Sequence, residues 1–591
     1  MPRRPYRGSQ QKLIIALDLG TTFSGVSYGI LDPGIAPNVK GVTRFPEQEN
    51  AGGDAKIPTI MYYDKSGKVR AAGAEALDES LVATAEDEGW VKCSRFKLHM
   101  LPKWADTKEI SEAIAPLPPG KDVVEVFGDF YAYLVKCTMA FIQESHQNGA
   151  DLLLSVKGDI EFILSHPNGW EGAQQQQLRR AAIHAGLIPD NNQGHERIHF
   201  VTEGEASLHF CIEHGLSPYI KDGEGVMIVD AGGGTIDIST YSGIPSSTTV
   251  DHPFEEIAAP TCIFSGSIFV TRHAQSFLKD KLKDSHYAQD VDLIAECFDK
   301  TTKHRFRNAT EPAYIKFGTM RDTDIKLDIR SGQLKLAGSD VASFFDPSVS
   351  SIVKEIDNQR SKAKKPVSSV FLVGGFAASG YLFSKMRRHI EPAGLSFSRP
   401  DTGHANKAVA DGAISFYLDH SVTTRVAKYC YGLDTMRKFD PTNAEHQRRR
   451  KETFEDDSGV INLRSYFDTI LAKDVHVFEN EEFRRSYCFH RKLLSDMETT
   501  NVGIFSYHGS KSDPTWMDTE RDMYPMLCTV TADTREAAKA LVPQQRLDGK
   551  VFFTLLFDIV ILFGRTEMKA QICWIENGKE KRGPARILYD T

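Results

Sequence analysis

The chain has 591 residues, of which 41% are hydrophobic and 25% charged, and a formal net charge of -8. This is the balance of a soluble globular chain long enough for roughly three to five compact modules, and so mild a charge gives no reason to expect nucleic acid. The nine cysteines (Cys93, Cys137, Cys211, Cys262, Cys297, Cys430, Cys488, Cys528, Cys573) are odd in number, scattered and without a CxxC pair, which argues for reduced cytosolic thiols and against a disulfide framework or a zinc site.

The basic start MPRRPYRGSQQK lacks a signal-peptide core, and residues 1–11 are expected to be flexible. Leu13 to Ile30, LIIALDLGTTFSGVSYGI, reads as an apolar strand ending at Asp18, a turn at Gly20, Thr21 and Thr22, and a second strand. Gly52, Gly53 and Pro58 mark a loop, followed by a hairpin with Lys65-Ser66-Gly67 at its tip. Asp122 to Glu144 carries Val124, Phe127, Tyr131, Leu134 and Val135 at helical spacing. A strand over Phe162 to Ser165, a loop with Pro167 and another helix follow, and a further helix is expected to begin near Ala206.

The central stretch is Gly225 to Tyr241, GVMIVDAGGGTIDISTY. An apolar strand ends at Asp230, Gly232, Gly233, Gly234 and Thr235 form the turn, and Ile236, Asp237 and Ile238 resume with a period of two. Three glycines let backbone N–H groups approach a bulky anion such as phosphate. Asp230 and Asp237 flank it, which suits a hard cation such as Mg²⁺ held through water. The bland alternative is a glycine-rich hairpin with two solvated aspartates. Beyond it come a Ser265-Gly266-Ser267 turn before a helix, a helix over Val291 to Arg307, and VFLVGGFAASGYLFSKM, where a strand ends at Gly374-Gly375 and a helix begins near Ser379. Two hairpins of one design, about 210 residues apart, imply two related lobes facing one ligand.

These paired turns resemble the phosphate loops of the actin-like ATPases, and most closely those of the seventy-kilodalton heat-shock (DnaK-like) chaperones. WVKCSRFKLHM, VTEGEAS, the Gly266 turn, LVGG and NKAVADGA follow in the order of that family's motifs. The resemblance implies an α/β, actin-like ATPase fold of two duplicated, ribonuclease-H-like lobes with a cleft over residues 12–420, with small insertions at about 52–120 and 262–330. It implies Mg-ATP or Mg-ADP as ligand. Gly20, Thr21, Thr22 and Phe23 would hold it from one side and Gly232, Gly233, Gly234 and Thr235 from the other. Asp18 and Asp237 would hold the metal through water. Lys97, Glu203 and Asp230 would be catalytic, with Asp230 accepting the proton of the attacking water.

Gly266, Lys303, Gly374, Gly375, Phe376 and Asn406 would contact the nucleotide. Several of these assignments have rivals in the residues themselves. Lys97 also reads as a surface lysine, Glu203 as a carboxylate placed for a helix dipole, and Asp299, Lys300 and Arg307 compete with Lys303. Departures from the family pattern include Gly204 in place of a proline that couples nucleotide to peptide binding, and Asn406 in place of an aspartate. Phe376 and Ala378 stand where serine and an adenine-stacking arginine are common; Phe376 offers an aromatic face or packs in the core.

From about Ser421 the resemblance ends. Strands around Val460 to Leu463, Asn501 to Tyr507, Leu527 to Thr531 and Val551 to Trp574 predict a β-rich C-terminal module over 421–591. Val551 to Phe563 is too short for a membrane helix and carries Asp558. The basic run in HQRRRK, 446–451, reads as a solvated helix or loop, or as a nuclear address. The expectation is a cytoplasmic, chaperone-like protein that binds and slowly hydrolyses ATP, with a client polypeptide or co-chaperone as partner. The alternatives are a sugar-type kinase of the actin-like superfamily and a nucleotide-sensing scaffold that does not hydrolyse.

Overall fold

A computed structural model describes residues 3–51, 55–101, 114–170, 172–216, 223–244, 253–400, 407–478, 481–564 and 567–583. The chain forms two compact units, Met1–Val422 and Thr423–Thr591.

In the first unit, β1 (Lys12–Asp18) and β2 (Phe23–Leu31) are apolar and nearly wholly buried. Strands of that kind must be covered on both faces. With β3 (Val39–Gly41), β4 (Ile160–His166) and β5 (Ile198–Thr202) they build one sheet in the order β3-β2-β1-β4-β5. β1 is antiparallel to β2, with Asp18 opposite Gly25, and parallel to β4. The second sheet repeats this plan. β6 (Gly225–Ala231), β7 (Ile236–Gly243), β8 (Phe254–Ile263), β9 (Val367–Val373) and β10 (Ser396–Ser398) run in the order β8-β7-β6-β9-β10. β6 is antiparallel to β7, with Asp230 opposite Asp237, and parallel to β9.

One face of each sheet is covered by its own helices. α1 (Val123–Ser145), started by a capping box of Asp122 and Glu125, and α2 (Gly172–His184) share a core with β1, β2 and β4. α4 (Ser267–Leu282), α5 (Gly338–Lys362) and α6 (Gly380–Ile390) share another with β6, β7 and β9.

Two further helices occupy the space between the sheets. α3 (Glu203–Cys211) gives Ala206 to a cluster with Ile14 and Ile163 of the first sheet, and Leu208 and Phe210 to one with Val226 and Ile228 of the second. It crosses α7 (Ala408–Asp419) so closely that a β-carbon on Gly412 would stand 1.8 Å from the carbonyl oxygen of Ala206. Side chains on α3 therefore reach both lobes. Thr202 caps this helix, which starts at Glu203 and not near Ala206, because the Thr202 hydroxyl accepts from the Glu205 N–H.

Two small sheets extend the lobes. Ile60–Tyr63, Val69–Ala72 and Val91–Ser94 form one, and Ala313–Lys316, Ile329–Arg330 and Gln333–Leu336 the other. The helix expected over 291–307 is interrupted: a π-helical turn, Phe298–Thr302, separates Val291–Cys297 from Lys303–Arg305.

Among its described residues the second unit holds two five-stranded sheets. Cys430–Lys438 lies at the centre of one, and the 14-residue strand Val551–Gly564 pairs along its length with Glu482–Arg491 and Glu567–Glu576 in the other. The basic run is not a solvated face throughout. Arg449 is 8% exposed, its guanidinium lies 4.2 Å from the centre of the Trp516 ring, and it pairs with Glu445 and Asp518.

Candidate functional site

The two glycine turns abut. A β-carbon on Gly233 would stand 2.4 Å from the Thr22 hydroxyl, and one on Gly234 would stand 2.6 Å from that of Thr21. No side chain fits at either position. The second turn is held from behind by the loop before α4, whose Gly266, Ser267 and Ile268 N–H groups donate to the carbonyls of Gly234, Gly232 and Gly233 at 3.2, 3.2 and 3.0 Å. Gly374 passes beneath Asp230 with φ +89°, and a β-carbon there would meet Asp230 Oδ1 at 2.3 Å. Gly375 beside it faces open space.

Around these turns four carboxylates and two lysines converge, almost out of reach of water. Asp18, Glu203, Asp230 and Asp237 are 3%, 8%, 5% and 0% exposed. Lys97 donates to Glu203 Oε1 at 2.5 Å, with its ammonium 5.7 Å from the centre of the Trp170 ring. Burial works against the Lys97 charge, but Glu203, Asp18 and Asp237 outweigh it and hold the ammonium above its usual range. Glu203 is pushed upward by burial, with Lys97 pulling the other way.

Asp230 accepts a hydrogen bond from Ser207 on α3 at 2.8 Å, and burial, then the Glu203 charge, push its carboxyl up to about 7. A base with that value gains and loses a proton near neutral pH. Asp237 is also raised, first by burial and then by Glu203. Its Oδ1 accepts from the Asn168 N–H at 2.6 Å, while its buried Oδ2 has no hydrogen-bond partner among the described residues.

Three residues of the cluster were missed in the sequence. Lys56 donates to Asp18 Oδ2 at 2.6 Å. Asn168 crosses from the first lobe to Asp237 and, through its amide nitrogen, to Ile238 O, Ser239 Oγ and Thr261 O. Ser207 meets Asp230. Only Asn168, in the loop after Pro167, follows a recognisable strand-loop-helix pattern. Gly204 is a fitted residue as well as a departure: a β-carbon there would stand 2.2 Å from Ser239 Oγ, and its N–H donates to Asn168 Oδ1 at 3.4 Å.

Other candidates lie elsewhere. Phe376 is 4% exposed and stacks on Phe345 at 6.2 Å within the core of the second lobe, so its face is not open to a ligand. It is a packing residue: the short helical turn Gly375–Ala378 ahead of α6 buries both Phe376 and Ala377. Lys303 is 6% exposed and bound to Asp299, Thr271 Oγ1 and Ser267 O, where burial first of all lowers its basicity. A cavity of about 730 Å³ is lined by Thr21, Thr22 and Phe23 on one side and by Arg272, Asp299 and Lys300 on the other. Lys303 lies behind that wall, and Lys300 faces the cavity in its stead. Asn406 lies outside the described residues.

For a divalent cation the fit is one-sided. Asp237 presents a buried oxygen without a hydrogen-bond partner among the described residues, but Asp18 already holds the Lys56 ammonium. Among the described residues no three His, Cys, Asp or Glu side chains form a direct metal cage.

No protein-family model matches the chain. Curated proteins do. It is 22% identical over 566 residues to heat shock 70 kDa protein 12A of Mus musculus, covering 80% of this chain and 79% of that one. It is 21% identical over 583 residues to heat shock 70 kDa protein 12B of Homo sapiens, covering 82% and 80%. The chaperone protein DnaK of Thermosipho melanesiensis is 25% identical over 379 residues, 62% of this chain and 53% of that one. Such relatives imply the two-lobed actin-like ATPase fold. The chain is an atypical protein like those of the seventy-kilodalton heat-shock family. Among the described residues no helix is long and apolar enough to cross a membrane.

Proposed function

We propose that this chain is an ATP-binding chaperone-like protein that hydrolyses ATP slowly between the two lobes of residues 12–420. The observation that supports this most is the meeting of the Gly20–Thr22 and Gly232–Thr235 turns beside four buried carboxylates and two lysines. Thr21, Thr22 and the backbone N–H groups of the glycine turns would bind the terminal phosphates. Lys97, fixed by Glu203, would offset charge as phosphoryl transfer proceeds. Asp230, poised near neutral pH, would take the proton from the attacking water. When bound, Mg²⁺ would neutralise phosphate charge. A client polypeptide or co-chaperone belongs to the same reading.

Titration calorimetry with ATP and ADP, run beside single-turnover phosphate release, tests it. Binding with release slower than about one per minute, below the usual kcat range of enzymes, is expected. Tight binding with no release supports a sensing scaffold, and faster transfer to a sugar or polyol than to water supports a kinase. Absence of nucleotide binding sinks all three.

A further inference from the structure

The second turn carries two aspartates opposite each other, Asp230 and Asp237. At the matching place in the first turn Asp18 faces Gly25, which has no side chain at all. The space is filled by Lys56. Its stem lies on the bare Gly25 backbone, so that a β-carbon there would stand 3.3 Å from Lys56 Cγ, and its ammonium reaches Asp18 at 2.6 Å.

Lys56 is not a wandering surface lysine. The next two residues, Ile57 and Pro58, pair with Ser24 and Phe23 at the start of β2. The Thr59 N–H donates to the Thr22 carbonyl at 2.9 Å, and the hydroxyls of Ser24 and Thr59 share a hydrogen bond of 2.8 Å. The segment that bears Lys56 is thus bonded directly to the phosphate-turn candidate. Its side chain is 17% exposed, against 4% for that of Asp18. A buried ion pair this short is costly to break from one side, because the remaining charge is left without a partner.

We propose that the Lys56 ammonium takes the place of a divalent cation at Asp18, so that this chain binds nucleoside triphosphate without Mg²⁺. This rests on the nucleotide reading above and goes beyond it. Asp18, Glu203, Asp230 and Asp237 would repel a triphosphate, and Lys56 with Lys97 supplies permanent positive charge among them. The segment's bonds to Thr22, Phe23 and Ser24 set that charge beside the turn that would receive the phosphates. Asp237, with its unpartnered oxygen, remains able to hold a hydrated cation, so Mg²⁺ is tolerated but not required.

The test measures ATP affinity of the full chain by calorimetry in Mg²⁺ and again in excess EDTA, for the native protein, Lys56→Met and Lys56→Arg. Chelation is expected to change the native affinity by less than about threefold. For Lys56→Met it is expected to weaken binding by at least about tenfold, the scale of losing one partner of a buried charge pair. Lys56→Arg keeps the charge and is expected to stay nearer the native response. Circular-dichroism melts establish that each variant is folded, and if Lys56→Met is not, the native protein in EDTA decides. A native affinity that drops tenfold or more on chelation overturns the proposal and leaves the nucleotide reading standing. So does a Lys56→Met protein that still binds equally well in EDTA overturn it. No binding in either buffer overturns both.

Discussion

Both glycine turns lie at the end of a central strand with an antiparallel neighbour on one side and a parallel one on the other, yet their aspartates have different surroundings. In the first turn Asp18 is paired with a lysine laid across a glycine. In the second, Asp230 accepts from the Ser207 hydroxyl and is driven up to about 7 by burial and then by the Glu203 charge. One repeated backbone therefore carries two electrostatic settings: a lysine-paired carboxylate on one lobe and a carboxyl raised towards neutral pH on the other. The difference comes from the charge each buried aspartate meets: a lysine seated over Gly25 at Asp18, and the Glu203 carboxylate at Asp230.

The sharpest way to break this comparison is to remove each carboxylate in turn. Asp230→Asn is expected to slow single-turnover phosphate release by about 100-fold or more, the loss of a general base, whereas Asp18→Asn is expected to slow it by about tenfold or less. Equal losses would end the distinction.

The second test is pH. With the carboxyl at about 7, release is expected to fall about tenfold per unit as pH drops below that value. Stability carries the same signature with a definite sign. The folded chain holds this proton more tightly than the unfolded one, about 7 against 3.8. The stabilisation is full below the lower value and is lost as pH rises through the upper one, on the order of 2–4 kcal/mol in all. Asp230→Asn is expected to stabilise the protein against urea at about pH 8 and not at about pH 4.

Smaller effects sharpen the contrast in backbone. Gly374→Ala forces a β-carbon onto Asp230 at φ +89° and is expected to cost about 2–3 kcal/mol in urea unfolding. Its neighbour Gly375→Ala, in open space, is expected to cost less than about 0.5 kcal/mol. Gly25→Ala presses lightly on the Lys56 stem and is expected to cost about 1 kcal/mol.

Much of the first unit was legible because it is local. Apolar runs ending in Asp-x-Gly fold as hairpins wherever they stand, and strand boundaries around Asp18 and Asp230 match the apolar runs closely. Lys56 and Ser207 were not legible. A single lysine between two loops, or a serine inside a helix, has no pattern that separates it from surface lysines and core serines. Phe376 has two readings in the sequence, an aromatic face for a ligand or a core side chain, and its packing against Phe345 follows the second.

By itself, the order of residues determined that two like hairpins exist, that each brings an aspartate to a glycine turn, and that 25 is a glycine where 237 is an aspartate. Those follow from hydrophobic period and backbone freedom, which act over a few residues. Only the tertiary structure decided which charges meet: Lys56 with Asp18, Lys97 with Glu203, Asn168 with Asp237. The physical reason is that a pKa or an ion pair depends on burial and on neighbours within a few ångströms, and these neighbours are 38, 106 and 69 residues away along the chain.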